Sequence, residues 1–310
     1  MVGVLAWGCR SALPPSGMVR PGTFVGRMSD RVSLIRRSYR VHVPEGYDAE
    51  RRWPVIVVLH GAFSSARGIE KVTGFSELAD REGLIVVYPN GIGLFGLFRH
   101  WNAGICCAKA MKDGIDDVDF VFRVVDDAAS RLRFDASRVY LVGNSNGGML
   151  AYRIAAERPE RVVAIAVSGG TVGAAPAEGD ALRLLPEPRR PLPVMIFHGR
   201  ADESIPYEAV VAGAKGGQVV PLLNSAAFWV RHNRCAPEPE RDALRADRVE
   251  RQRWKGTEGG AELVLYSLEG WGHDWPGRHF TERLPADDPL RGFDAAEIIW
   301  DFFRQHDLAR

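Results

Sequence analysis

The stretch "RVYLVGNSNGGMLAYRIA", residues 138–155, decides how this chain is read. Its first half is an apolar run of strand type, its second half carries apolar residues at helical spacing, and glycines mark the break between them. At that break stands Ser145, inside the G-x-S-x-G pattern Gly143-Asn144-Ser145-Asn146-Gly147. Between a strand and a helix, this is the pattern a serine nucleophile needs. A sharp turn lifts the hydroxyl above the sheet, crowding excludes side chains on either flank, and the helix N-terminus behind it favours negative charge. The competing reading is a glycine-rich turn with an incidental serine. With 33 glycines in the chain, a bare pentapeptide of this kind arises easily by chance. Its placement therefore carries the weight.

Working outward from this turn, strand-like and helix-like segments alternate. Strands are expected at 38–44, 54–61, 84–89, 162–170, 193–199 and 261–270, and helices at 68–82, 116–133, 222–233 and 294–306. The run "PVIVVLHG" at 54–61 is apolar almost throughout, as a strand covered on both faces must be. Such alternation predicts an α/β fold in one domain, with a mostly parallel sheet and helices on both faces. With no internal repeat, the domain is expected over 32–310. Residues 1–31 are expected to be a flexible segment or a weak signal peptide, since "VGVLAW" is short for a signal core and no basic residue precedes it.

Composition excludes more than it names. The chain has 310 residues, 46% hydrophobic and 25% charged, an ordinary globular composition. Its 40 basic and 39 acidic residues give a net charge of +1, which offers no broad field to a nucleic acid or an anionic membrane. No apolar stretch reaches the roughly 18 residues that would span a bilayer. The vicinal Cys106 and Cys107 lack the spaced ligands of a zinc site, and no cofactor is expected.

A serine hydroxyl needs a general base, and the base needs an orienting carboxylate. For a strand–turn–helix nucleophile these follow the serine in the order acid, then histidine. His198, His232, His273, His279 and His306 lie downstream of Ser145. His273 in "LEGWGHDWPG" follows an expected strand and is the favoured base, with His279 in reserve. His232 and His306 fall in helices. Asp202 in "FHGRADESIPY", or its neighbour Glu203, stands at a strand end between serine and histidine. The oxyanion formed on attack needs two backbone N–H donors. Asn146, just after the nucleophile, is one candidate, and Ala62 in "HGAFSSA" at 60–66 is the other.

Together these residues resemble the α/β-hydrolase esterases grouped with feruloyl esterases, acetylxylan esterases and polyhydroxybutyrate depolymerases. The likeness runs from about residue 38 to 304 and rests on "VPEGYD", "LHGAFSSA", "YPNG", "DDVDF", "GNSNGGMLAYRIA", "HGRADESIPY", "FWVRHNRC" and "GWGHDWPG", in that order. The resemblance implies a triad of Ser145, Asp202 and His273, with Trp101 and Trp275 lining the cleft. It implies hydrolysis of feruloyl, acetyl or other short-chain esters, small or oligomeric, with a polyester depolymerase as the alternative. A peptidase, or a relative that binds without catalysing, ranks below both. Cys235 matches a family cysteine whose usual partner position is occupied by Thr257, so that bridge is expected to be absent. This leaves Cys106 and Cys107 to pair with each other, to pair with Cys235, or to stay reduced. The resemblance implies export, the weak signal does not support it, and oligomeric state is left open.

Overall fold

The computed structural model of the protein describes residues 19–29, 36–93, 96–175, 179–209 and 217–308. In chain order the strands are β1 (Gly22–Ser29), β2 (Arg36–Val43), β3 (Trp53–Leu59), β4 (Ile85–Pro89), β5 (Phe134–Asn144), β6 (Ile165–Ser168), β7 (Gly173–Ala175), β8 (Arg183–Leu184), β9 (Val194–Gly199), β10 (Gln218–Val219), β11 (Glu240–Leu244), β12 (Val249–Trp254) and β13 (Leu263–Leu268). The helices are α1 (Ala66–Thr73), α2 (Phe75–Glu82), α3 (Ala108–Lys112), α4 (Asp117–Ala129), α5 (Asn146–Glu157), α6 (Leu222–His232), α7 (Arg278–Thr281) and α8 (Ala295–Phe303).

Ten strands form one sheet in the order β1-β2-β4-β3-β5-β6-β9-β13-β12-β11. The six from β4 to β13 are parallel to one another, and an antiparallel pair closes each edge. β3 is buried at every position, with Val55, Val57 and Leu59 in one core and Ile56 and Val58 in the other. The first core packs against α4, α5 and α6, and the second against α1, α2 and α8. A strand whose two faces both leave water has no polar face to alternate with, which is why its sequence is continuously apolar. Each fully buried Val, Ile or Leu contributes about 1.5–3 kcal/mol.

The sheet reverses its winding at β3 and β5. The chain leaves β3 for β4 on one side and leaves β5 for β6 on the other, so the crevice at the carboxyl ends of this pair is a topological switch point. Ser145 follows β5 there, and the 60–66 segment follows β3.

Several elements differ from expectation. The helix expected over 68–82 is two helices, because Gly74 adopts a left-handed conformation (φ 71°) that ends α1 and begins α2. β1 lies inside the stretch expected to stand outside the fold. It pairs with β2 along its whole length, and Gly26 admits the Tyr39 ring, whose Cζ would be 2.0 Å from any Cβ at that position. The sheet thus begins at Gly22, ahead of Val32, while residues 1–18 and 30–35 lie outside the described residues. The β11–β12 hairpin was not expected, since its sequence is charged. It is laced by cross-strand ion pairs Arg251–Asp242 and Arg241–Glu250. No helix among the described residues is long and apolar enough to cross a membrane.

Candidate active site

Ser145 sits between β5 and α5 at φ 53° and ψ −122°, a conformation that costs a non-glycine residue about 1–3 kcal/mol. The neighbouring glycines explain how the turn is held. A Cβ at Gly143 would lie 2.3 Å from Gly147 O, and one at Gly147 would lie 2.4 Å from Leu59 O and 2.5 Å from His60 O. Backbone therefore packs directly on backbone where α5, β5 and β3 meet. The Ser145 N–H donates to Ser168 O at the end of β6, at 2.8 Å.

The residues expected to partner Ser145 converge on it. His273, in the loop after β13, has Nε2 2.8 Å from Ser145 Oγ and Nδ1 2.6 Å from Asp202 Oδ2. Asp202, in the turn after β9, has a side chain only 1% exposed. Its Oδ1 accepts the N–H groups of Ser204 at 2.8 Å and Ile205 at 2.9 Å. Burial alone would raise this carboxyl, but the bond from His273, that imidazole's charge and the Ile205 N–H outweigh it and hold the group below its ordinary value. An ionised Asp202 fixes the proton of His273 on Nδ1 and leaves Nε2 to accept from the serine hydroxyl. Gly169, at φ 60°, runs beneath the pair, since a Cβ there would be 3.0 Å from His273 Cε1.

The other candidates lie apart from this chain of bonds. Glu203 is exposed beside Asp202. His232 packs on Phe228, His279 packs on Phe280, and His306 faces Glu262 at 3.1 Å. His198 is fully buried beneath Asp202, donating from Nε2 to Ile205 O at 2.8 Å, with Asp202 Oδ2 at 3.4 Å. Burial pushes its imidazole below the ordinary value and keeps it neutral, against the raising pull of Ile205 O and Asp202.

Ala62 and Asn146 flank the serine from the two sides of the switch point. Among the described residues neither backbone N–H has an acceptor within the protein. Gly61 brings the first segment close, because a Cβ there would be 3.3 Å from Ser145 Cβ. Such N–H groups, together with the N-terminus of α5, can receive a developing oxyanion.

The tryptophans correct an expectation. Trp101 is 0% exposed and Trp275 is 1% exposed, so neither presents a surface to a cleft. Trp275 packs on Phe75, and Trp101 packs on His60 with ring centroids 4.8 Å apart. Among the described residues, large exposed aromatic rings stand instead at Phe63, next to Ala62, and at Phe98, and the two rings meet at 6.4 Å.

Beneath the 90–116 loop lie two residues not singled out in the sequence. Arg37 of β2 and Asp117 of α4 form a buried ion pair at 2.6 Å, and the Asp117 carboxylate also accepts the Asn102 N–H at 2.6 Å. Asp117 in "DDVDF" reads as an ordinary first-turn acid, and no local signal links it to an arginine 80 residues away. Cys106 and Cys107 are bonded to each other in that loop, while Cys235 is free, beside Gly256 and Thr257.

The sheet, its switch point and the strand–turn–helix at Ser145 define an α/β-hydrolase fold. Among solved structures, an acetyl xylan esterase from Aspergillus awamori shares this fold with a TM-score of 0.54 at 14% identity, covering 80% of this chain and 93% of its own. NocK of Nocardia uniformis subsp. tsuyamanensis, itself a candidate esterase, is 30% identical over 263 residues, 80% of this chain and 73% of NocK. Feruloyl esterase B of Piromyces equi is 24% identical over 241 residues, 76% of this chain but 42% of that larger protein. The family model described as Esterase PHB depolymerase matches residues 37–227, and the chain belongs to that family of carboxylic-ester hydrolases.

Proposed function

We propose that the protein cleaves carboxylic esters through an acyl-enzyme on Ser145, with His273 as general base and acid and Asp202 as its orienting carboxylate. Ser145 Oγ attacks the ester carbonyl while His273 Nε2 takes its proton. The Ala62 and Asn146 N–H groups receive the oxyanion. Collapse of the tetrahedral intermediate breaks the bond to the alcohol oxygen, which takes the proton back from His273. Water, activated by the same imidazole, then attacks the acyl carbonyl and releases the acid. The observation that carries this reading is the unbroken chain from Ser145 Oγ through His273 to Asp202, at 2.8 and 2.6 Å.

For substrate, the reading is feruloyl or acetyl esters of soluble or oligomeric alcohols, supported by the relatives that carry those activities in their names. Phe63 and Phe98, exposed side by side next to Ala62, offer an aromatic ring a face to pack on. A second reading, a short polyester strand, is favoured by Leu97, which is 61% exposed and precedes Phe98 in the chain.

Hydrolysis of p-nitrophenyl acetate and butyrate by the parent and by Ser145→Ala tests the nucleophile. Turnover by the variant equal to that of the parent overturns the assignment. Methyl ferulate, acetylated xylo-oligosaccharide and hydroxybutyrate oligomers, compared by kcat/KM, decide between the substrates.

A further inference from the structure

We propose that Trp101 is a positioning residue that ties the two oxyanion donors to one another, an inference that rests on the reading of Ser145, Ala62 and Asn146 given above. Its indole N–H donates to His60 O at 2.8 Å, two residues before Ala62. Its backbone holds the other donor's residue by two bonds: the Trp101 N–H donates to Asn146 Oδ1 at 2.7 Å, and Trp101 O accepts from Asn146 Nδ2 at 3.2 Å. One buried residue thus spans the switch point and grips the segment after β3 and the first residue of α5 at once.

The surroundings leave this brace little freedom. Trp101 and His60 are 0% exposed and Asn146 is 1% exposed. His60 donates from Nδ1 to Gly61 O at 2.8 Å and accepts the Gly91 N–H on Nε2 at 2.9 Å, so both ring nitrogens are committed and the tautomer is set. Burial pushes its imidazole down to about 3, and the ring stays neutral throughout the range in which an esterase is assayed. Behind Trp101, the Cys107 N–H also donates to Trp101 O at 3.2 Å, and Asn102 is held by Asp117 at 2.6 Å and by Arg153 at 3.0 Å. The Ala62 and Asn146 donors lie on different strand ends, and an oxyanion is stabilised only when both point at one place to within about 0.5 Å. Trp101 touches neither substrate nor oxyanion. Its effect falls on the charged intermediate more than on the bound ester, so it belongs to kcat rather than KM.

Trp101→Phe keeps a buried ring and deletes the N–H to His60. Asn146→Ala deletes both bonds to the Trp101 backbone and keeps the Asn146 N–H. Each is measured for kcat and KM on p-nitrophenyl butyrate, for inhibition by phenylboronic acid, whose serine adduct mimics the tetrahedral intermediate, and for the pH midpoint of kcat/KM. The expected result is a fall in kcat of about 10- to 100-fold, KM within about threefold of the parent, boronic acid affinity reduced in step with kcat, and an unmoved pH midpoint. Retention of kcat within twofold overturns the proposal, as does a loss confined to KM. If Trp101→Phe does not fold, Asn146→Ala alone decides by the same criteria. Ser145→Ala in parallel separates the two readings: activity retained in that variant removes the nucleophile assignment, whereas activity lost there but kept in the two brace variants removes only the brace.

Discussion

The two flanks of Ser145 are built differently. Toward β3 and α5, backbone lies on backbone: Gly147 meets Leu59 O and His60 O, Gly143 meets Gly147 O, and the ring behind them is buried and fully bonded. Toward β9 and β13 backbone also meets backbone, where Gly199 lies against Trp271 O and Gly272 O, but the bonds that reach the serine are made by side chains, with His273 29% exposed and standing over Gly169. The difference matches the demands of the chemistry. Oxyanion donors must not move, whereas a proton carrier must exchange its proton with a leaving group and with water.

Substitution at Asp202 breaks the side-chain flank most severely. Asp202→Asn leaves the hydrogen-bonding shape intact but favours the wrong tautomer of His273, and kcat is expected to fall about 10⁴-fold with little change in KM, read by steady-state kinetics. Paired glycine variants sharpen the contrast. Gly147→Ala drives a methyl into two immovable carbonyl groups and is expected to destabilise the protein by about 3 kcal/mol or more, visible as a lowered urea midpoint. Gly169→Ala meets a side chain that can swing away. The left-handed backbone costs about 1–2 kcal/mol, while loss of the His273 alignment lowers kcat by about 10- to 100-fold.

Acid sharpens the comparison from the rigid side. His60 titrates at about 3 when folded and near 6.5 when unfolded, so between those values only the unfolded chain gains a proton there. Stability contributed by neutral His60 is present above about pH 6.5 and falls by about 1.4 kcal/mol per unit as pH drops toward 3. Asp202 has the same sign through the opposite chemistry: its carboxyl is held low, so its contribution is present above the ordinary carboxylate value and is lost as pH falls through the folded one. Urea titrations from pH 7 to pH 4 should show this slope, and His60→Gln should flatten it by about one proton. The smallest effect expected is at the rim. Phe63→Ala should leave thermal stability nearly unchanged, because the ring is 74% exposed, while raising KM for an aromatic ester about three- to tenfold.

What could be read in advance follows the same division. The turn at Ser145 was legible because its requirements are local: two glycines, a strand before and a helix after. That Asp202 and His273 would lie beside Ser145 was legible only when chain order and the ends of apolar strands, which left Glu203 and His279 open, were joined to the family resemblance. Trp101 and Trp275 were misplaced, because sequence gives an aromatic residue no label that separates a cleft wall from a packed interior. The Arg37–Asp117 pair and the bonds to His60 are set by tertiary distance, and nothing in their local sequence announces them. The charged β11–β12 hairpin escaped because its strands are held by cross-strand ion pairs and by pairing with β13 rather than by an apolar face.

The order of the strands also bears on how the enzyme comes into being. The bond from His273 to Ser145 joins residues 128 apart in the chain, and that from His273 to Asp202 joins residues 71 apart. Contacts so distant in sequence form late, after the loop-closure entropy of the intervening sheet has been overcome. Helices and hairpins can therefore be present in a chain that has no activity at all. During refolding, ester hydrolysis should return only after secondary structure has recovered, which makes turnover a report on completion of the sheet from β3 to β13.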